Sequence, residues 1–544
     1  MFDRVSIDKL YKYQRNLLFL VVLLFPIQTV LFYKGSWAAT FSFSGQISSL
    51  PLTIGFLIAV FSCFRLKKIE LLYWFIGFLL VYFFIYAAIS LHSIFLFCED
   101  GIFDITTFGE TSKLNILKKI LVSIGISDSS VLYGVTIFFR DMLSSMRRIV
   151  FAFGFLVWIA FLYRNNASET FCVIRTAVLW CIVLLTPYVA LEVFHLYGIE
   201  GATDVLKRIN SVLYAPGYFM EGSSYPPNVS PNQVRGTWTE PAFFAFWLVF
   251  ATPFLISFIL EKGLISTRRI LCSFMFFVVF WSVWWLTYSR TSVLLVLTLM
   301  SLYFFFTVVF HKLNDLKVFG FLTVTLLLSF FIVSIWGPAE YQKHQQLLND
   351  KPASSLLSRV EKQVAESELM TNSLLSSFDV RSRSNPTRIQ QFLLEIEAFK
   401  DHPIMGYGLT LSSYGLKKKM VENKAFLTNE WRERLALTER NGYFKSGIGS
   451  SSLSVSGSLA SGGILGFSLI FLPLMILGLI FFKKTLRESE NISDRKVCVF
   501  ISAIGGGLAA VSQDLGFFYF WASAGLALGM VWQSNTINVL KNAK

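Results

Sequence analysis

The sequence predicts an all-α, polytopic membrane protein of about twelve transmembrane helices. Three observations predict this fold class. The chain is 54% hydrophobic and 17% aromatic, with 57 Phe, and its mean hydropathy of +0.59 lies far above the soluble range. Apolar runs of about 18 or more residues, the length that a hydrocarbon core of about 30 Å demands of a helix, recur from one end to the other. The one long departure is a polar stretch over residues 337–450, and a connection of that length inside a compact protein is usually functional or disordered.

The spans are expected at 16–33, 47–64, 71–97, 145–163, 174–196, 240–260, 270–288, 291–310, 317–336, 461–482, 497–512 and 517–534. The N-terminus is basic and then apolar, as a signal peptide is. Its apolar run is long, however, and Trp37-Ala38-Ala39 is a poor cleavage site, so an uncleaved first helix is expected. Only Tyr288-Ser289-Arg290-Thr291 separates the seventh span from the eighth, which makes a tight hairpin. With the N-terminus inside, the cytoplasmic connections carry Arg65/Lys67/Lys68, Arg164, Lys262/Arg268/Arg269, Lys312/Lys317 and Lys483/Lys484/Arg487/Arg495/Lys496. Every one is basic, as the positive-inside bias requires. An even count also returns Lys541 and Lys544 to the cytoplasm.

The formal charge of +14 is therefore topological first, with an anionic substrate or lipid surface second. No basic soluble domain exists to hold nucleic acid. The six cysteines are scattered without paired metal spacing, which argues against a disulfide framework or a cysteine metal site.

This topology divides the chain into nine helices over 1–336, a large outward loop over 337–450, and three helices over 451–544. Two shorter segments, about 98–144 and about 197–239, also face outward. The first ends in Arg140, Asp141, Arg147 and Arg148, expected on a helix that extends out of the fourth span. The second holds Pro216, Pro226, Pro227 and Pro231 and is expected to be irregular rather than helical. The long loop reads as two or three helices. One runs from Ser355 to about Met370, with Leu356, Leu357, Val360 and Val364 at helical spacing. In the next, Asn385 caps and Pro386 takes the first helical position. Ile389, Phe392, Ile396 and Phe399 then make its apolar face, and Pro403 and Gly406 end it.

Four places carry candidate chemistry, each with a plainer alternative. Arg290 in YSRTS is either an interfacial anchor or, in so tight a hairpin, a fixed clamp for a phosphate. Arg388 is either a solvated charge or, with Arg381 and Arg383, part of a basic cluster on the same side of the membrane. Converging arginines can neutralise a pyrophosphate without a metal ion. No D-x-D motif is present, and Glu395 and Glu397 lie on diverging helix faces, so a metal-free site with no cofactor is the expectation. In RGTWTEPAFFAFWL (235–248), Glu240-Pro241 is either helix-entry chemistry or a carboxylate placed to take the proton of an attacking hydroxyl. In the fourth place, His402 with Gly406 and Gly408 is a candidate substrate-binding turn, where the histidine is either a base or, as suits a helix end, a structural residue. The glycines there permit a tight turn that docks the loop against the spans.

The order of these phrases carries a resemblance. RGTWTEP before a span, YSRTS in a hairpin, RIQQFLLEIEAFKDHPIMGYG (388–408) in a large outward loop, and GGILGF opening the next span together resemble the O-antigen polymerase and ligase superfamily, over roughly residues 230–480. The resemblance implies an all-helical, GT-C-like glycosyltransferase that uses undecaprenyl-pyrophosphate-linked glycan and no metal. It implies pyrophosphate binding by Arg290 and Arg388, with Arg235 at the acceptor lipid's phosphate. It places the protein in the bacterial cytoplasmic (inner) membrane, both termini inside and the active site facing the periplasm. A chain-length regulator and a flippase are the implied partners. The ligase branch has a His ahead of its span entry, proposed as the base, where this chain reads Gly449-Ser450-Ser451-Ser452-Leu453. The Glu240-Pro241 phrase is similar to Wzy-type O-antigen polymerases, so a polymerase is expected ahead of a ligase that transfers polymer to lipid A core. A lipid-linked glycan flippase is the non-enzymatic alternative. It should carry its ionisable residues at mid-bilayer depth, whereas here they cluster at the outer ends of spans.

Overall fold

The computed structural model describes residues 7–27, 47–65, 69–98, 100–103, 105–109, 112–125, 128–213, 233–238, 241–262, 266–309, 313–337, 385–443, 454–487 and 518–542. Within them the regular structure is helical. The first five helices are α1 (Ile7–Leu24), α2 (Ser49–Arg65), α3 (Ile69–Cys98), the single turn α4 (Ile105–Phe108) and α5 (Ser112–Ser123). There follow α6 (Ser129–Asn165), α7 (Ala167–Leu196), α8 (Ala202–Leu213), α9 (Pro241–Lys262), α10 (Thr267–Trp285), α11 (Arg290–Val309) and α12 (Leu313–Trp336). The long polar stretch supplies α13 (Asn385–Asp401), α14 (Ser412–Glu422) and α15 (Asn429–Asn441), and α16 (Val455–Arg487) and α17 (Phe518–Asn542) follow.

Among the described residues seven helices are long and apolar enough to cross a membrane: α3, α6, α7, α9, α10, α12 and α16, with shorter apolar stretches in α2, α11 and α17. The protein is thus an all-α polytopic membrane protein. Each expected span that falls on described residues coincides with a helix, the first only in part. The expected span 497–512 and the expected helix from Ser355 to Met370 lie outside the described residues.

Helix α6 runs unbroken from Asp128, whose carboxylate caps it through the Ser130 N–H, to Asn165. At 1.5 Å per residue it is roughly 55 Å long, far more than a bilayer core. Arg140, Asp141, Arg147 and Arg148 lie on this one helix, continuous with the stretch expected as the fourth span. Helix α17 packs along α6 through Gly525 and Gly529. A Cβ at either would fall 2.7 Å from an α6 atom, Leu156 O or Tyr163 Cβ, so only glycine allows this approach.

The ends of the helices meet on one face of the bundle. Thr237 donates its hydroxyl to Pro26 O at the end of α1, Val234 N–H donates to Leu286 O at 2.9 Å at the end of α10, and Tyr197 OH reaches Trp336 O at the end of α12. The first two join the C-terminal ends of α1 and α10 to the segment that enters α9, and the third joins the ends of α7 and α12 to each other, which is the alternation an up-and-down bundle requires.

A second core lies apart from the main bundle core. It is formed by Phe97 of α3, Phe103, Phe108, Tyr133 and Ile137 of α6, Leu394 and Ala398 of α13, Tyr407, Leu416, Met420, Trp431, Leu435 and Tyr443. Helices α13, α14 and α15 thus form a module seated on the ends of α3, α6 and α16.

Two expectations are corrected. The segment after α7 begins with helix α8, which buries Ala202, Leu206 and Asn210 and stops before Pro216. The Asn210 side chain accepts from Tyr188 OH at 2.7 Å. Helix α13 does not bury the face made by Ile389, Phe392, Ile396 and Phe399. Its buried residues are Leu394, Glu395 and Ala398, while Ile389, Phe392 and Leu393 are exposed. The small Ala398 lets α13 come close to its neighbours, and Glu395 enters the interface because Ser456 Oγ and Gln391 Nε2 donate to it.

Candidate functional site

The first part of the site surrounds the α10–α11 hairpin. Leu286–Ser289 make the turn, and Arg290 opens α11. Tyr288 holds φ at +43°, the one positive φ on a residue other than glycine among the described residues. A bulky residue in that region is strained, and such strain persists where surrounding structure fixes it. The Tyr288 hydroxyl sits against Gly337, where the long polar stretch begins: a Cβ there would lie 3.0 Å from it. The hairpin is thus held from two sides, by Gly337 and by the Val234–Leu286 hydrogen bond.

Val234 leads into Arg235-Gly236-Thr237-Trp238, a turn enclosed by the bundle. Gly236 adopts φ +59°, where a Cβ would press on the Trp238 and Phe244 rings at 3.2 and 3.3 Å. Trp238 stacks on Phe244 with centroids 5.1 Å apart, which locks the entry into α9. Arg235 is only 1% exposed and Glu192 of α7 only 2%. The Glu192 carboxylate accepts the Gly236 N–H at 2.8 Å and the Arg235 N–H at 3.3 Å. Arg235 Nε lies 3.8 Å from its other oxygen.

The second part is the turn after α13. Gly406 and Gly408 have φ of +64° and +77°. The turn they form enters a break in α16 at Gly463, which sits at φ 60°, ψ −160° inside the helix. Tyr407 and Gly408 donate their N–H groups to Ala460 O and Ser461 O at 3.0 and 2.8 Å. In the other direction, Ile464 and Leu465 donate theirs to Pro403 O and Ile404 O at 2.8 and 3.2 Å. The glycines therefore dock the loop against a span, as their sequence setting suggested. Asp141 of α6, 1% exposed, completes the joint. It accepts the Thr410 N–H at 2.9 Å and the Thr410 hydroxyl on one oxygen, and Ser90 Oγ of α3 at 3.2 Å on the other.

His402 is committed to this joint. Its ring meets Tyr407 edge-on at 4.7 Å and Phe97 edge-on at 5.8 Å, while Tyr407 stacks flat on Phe97 at 5.3 Å. Partial burial pushes the His402 pKa down, which keeps the ring neutral. Burial raises the neighbouring Asp401 carboxyl, but bonds from Lys419 Nζ at 2.9 Å and Tyr407 OH at 2.8 Å outweigh it and leave the pKa below its ordinary value. Glu395 and Glu397 face different elements, the first toward Ser456 and the second toward Asn423.

Of the expected site residues, the structure joins the Arg235 segment to the hairpin that leads into Arg290. It also joins His402, Gly406 and Gly408 to α16, at the end of α13 opposite Arg388. Glu240, Arg381 and Arg383 lie outside the described residues. Glu192 and Asp141 were not singled out by the sequence reading. The signal for Glu192 was a lone carboxylate in the apolar run Ala190-Leu191-Glu192-Val193-Phe194, since an ionisable residue inside a span is a functional candidate by default.

Comparison with curated proteins and with solved structures gives no match. A sequence model of the family described as "O-Antigen ligase" matches residues 274–436, a stretch that contains Arg290, Arg388 and the docking turn and leaves out Arg235 and Glu240. That match covers under a third of the chain and supports a likeness to the O-antigen ligase and polymerase superfamily.

Proposed function

We propose that the chain is a metal-independent polymerase of undecaprenyl-pyrophosphate-linked repeat units, acting at the outer face of the bacterial cytoplasmic membrane. The donor is a growing glycan on one lipid pyrophosphate, and the acceptor is the terminal hydroxyl of a repeat unit on another. The acceptor oxygen bonds the donor's anomeric carbon as the bond from that carbon to the pyrophosphate oxygen breaks. Arg290 and Arg388 stabilise the charge that develops on the departing pyrophosphate. Glu240 orients the acceptor hydroxyl and takes its proton. Arg381 and Arg383 extend the basic surface for the lipid-linked substrate. Arg235 is enclosed against Glu192, which suits positioning of the segment that delivers Glu240 better than direct phosphate contact.

The observation that carries this reading is the Val234–Leu286 hydrogen bond. It ties the segment that runs toward Glu240 to the end of α10, from which the hairpin leads into Arg290, although some fifty residues separate the two in sequence. The family description favours a second reading, a ligase. The Glu240-Pro241 phrase and the run Gly449–Leu453 without histidine favour the polymerase. A deletion strain separates the two. Loss of long chains with a single repeat unit still attached to its acceptor supports polymerisation, and accumulation of lipid-linked polymer supports ligation.

The site itself is tested by Arg290→Lys, which keeps the charge and loses the planar fork. An interfacial anchor would tolerate Lys, because both side chains snorkel. A pyrophosphate clamp loses a charge-assisted hydrogen bond, about 1.5–3 kcal/mol or more, so polymer should fall at least tenfold at matched membrane abundance, and Arg388→Lys should behave alike. Wild-type glycan ladders from Arg290→Lys would return the residue to an anchor.

A further inference from the structure

We propose that Asp141 and Glu192 are a pair of positioning residues, buried carboxylates that clamp the two outward segments of the site through backbone N–H groups. The inference rests on the assignment of Arg290 and Arg388 above. The two acids stand on different helices, α6 and α7, and neither is near the other in sequence. Each is enclosed by the bundle and accepts from a segment far along the chain. Asp141 holds Thr410, 269 residues away, and Glu192 holds Gly236, 44 residues away.

Carboxylates are costly choices for these places. An ionised group removed from water is tolerated only where donors satisfy it, and an apolar residue of similar size would fill the volume without that demand. What a leucine cannot do is hold a backbone N–H from a loop at a fixed point. Asp141 takes three donors, from Thr410 twice and from Ser90, and so ties the loop module to α3 and α6 together. Glu192 takes two N–H groups from the turn whose preceding residue, Val234, bonds the hairpin at Leu286.

Leverage makes these clamps matter to the site. Arg388 lies thirteen residues from the docked end of α13, roughly 20 Å along the helix. A tilt of about 10° at the docked end would move Arg388 by about 3 Å, where displacements of about 1 Å already cost catalysis heavily.

Backbone hydrogen exchange of the full-length protein in lipid nanodiscs tests the clamps directly, with Asp141→Leu and Glu192→Leu beside Asp141→Asn and Glu192→Gln. Asp141→Leu should raise exchange across 403–415 by about tenfold or more and leave 233–238 and 284–292 as in the wild type. Glu192→Leu should do the reverse. Asp141→Asn keeps an acceptor oxygen and should keep most of the protection, whereas Glu192→Gln also removes the countercharge of Arg235 and should keep less. Polymer should be lost in both Leu variants at matched membrane abundance. Unchanged exchange overturns the proposal, and so does exchange raised everywhere, which would make the acids general stabilisers. Local deprotection with normal polymer also overturns it. If the exchange pattern appears while Arg290→Lys and Arg388→Lys polymerise normally, the clamps stand and the reaction assignment falls.

Discussion

Gly463→Ala is the sharpest perturbation of the joint between loop and bundle. Gly463 sits at φ 60°, ψ −160°, a region that only glycine occupies without strain of about 1–3 kcal/mol. A Cβ there would lie 2.3 Å from Ile404 O and 2.6 Å from Met405 N. Both are backbone atoms, so no side-chain rotation relieves the clash. The turn must withdraw, and it loses the bonds from Ile464 N to Pro403 O and from Leu465 N to Ile404 O, each contributing about 1 kcal/mol. The sum is about 3–5 kcal/mol against docking, or about two to three and a half orders of magnitude in the docked-to-undocked ratio at about 1.4 kcal/mol per tenfold. Because local opening sets amide protection, exchange across 403–415 should accelerate by that factor, and protease should cut within 402–410. Gly478→Ala is the control, since its Cβ would meet nothing within 4 Å and alanine is the better helix former. Wild-type protection in Gly463→Ala, or equal deprotection in Gly478→Ala, would refute the docking argument.

Three further outcomes are expected. Protection of the module over 385–443 should be greatest near neutrality: the lowered His402 pKa favours the neutral ring, so its contribution is present above the ordinary value of about 6.5 and is lost as pH falls through the lowered one. Asp401, also lowered, adds stability above the ordinary carboxylate range that disappears in stronger acid, and a pH-independent exchange profile from pH 7 to pH 3 would contradict both. Trp431→Ala empties the centre of the second core, where the ring is fully buried, and should cost about 3–5 kcal/mol of module stability; unaltered thermolysin resistance of the module would show that it does not depend on this core. Finally, in a background without native cysteines, Ser373→Cys should react with an impermeant thiol reagent in cells with a permeabilised outer barrier, and Ser489→Cys only after the inner membrane is opened; the reverse pattern would overturn the assignment of the site to the outer face.

How far the sequence could be read depends on how local the physics is. Span positions follow from apolar runs alone, so α3, α7, α9 and α12 fall where hydropathy puts them. The length of α6 was legible because Arg140 to Arg148 continue a helix without a breaker. The docking turn was legible as a glycine pattern, since positive φ is a one-residue property. The buried face of α13 was not. An apolar stripe shows which residues avoid water, and beside a membrane such residues need not face the protein, so Ile389 and Phe392 are exposed while Glu395 is buried. Asp141 and Glu192 were hidden for another reason. Their partners are backbone N–H groups and, for Asp141, the common hydroxyls of Thr410 and Ser90, which most sequences offer, and only the fold decides which ones arrive.

The break in α16 and the long polar loop are one structural unit rather than a span and an appendage. A helix broken inside a bundle leaves N–H and C=O groups that lipid cannot satisfy, and neighbouring protein must supply their partners. At Gly463 the supply is reciprocal. Ala460 O and Ser461 O, stranded before the break, take the N–H groups of Tyr407 and Gly408, while the stranded N–H groups of Ile464 and Leu465 find Pro403 O and Ile404 O. Neither the broken helix nor the double-glycine turn is satisfied without the other, so the turn should form only as the bundle closes around it. That coupling fixes one end of α13 with backbone geometry, which has little rotamer freedom, and Asp141 pins the residue that follows the turn. The helix that carries Arg388 therefore ends at a joint built of backbone bonds into a span. In the reaction proposed above, that coupling is what would hold Arg388 at a constant separation from Arg290.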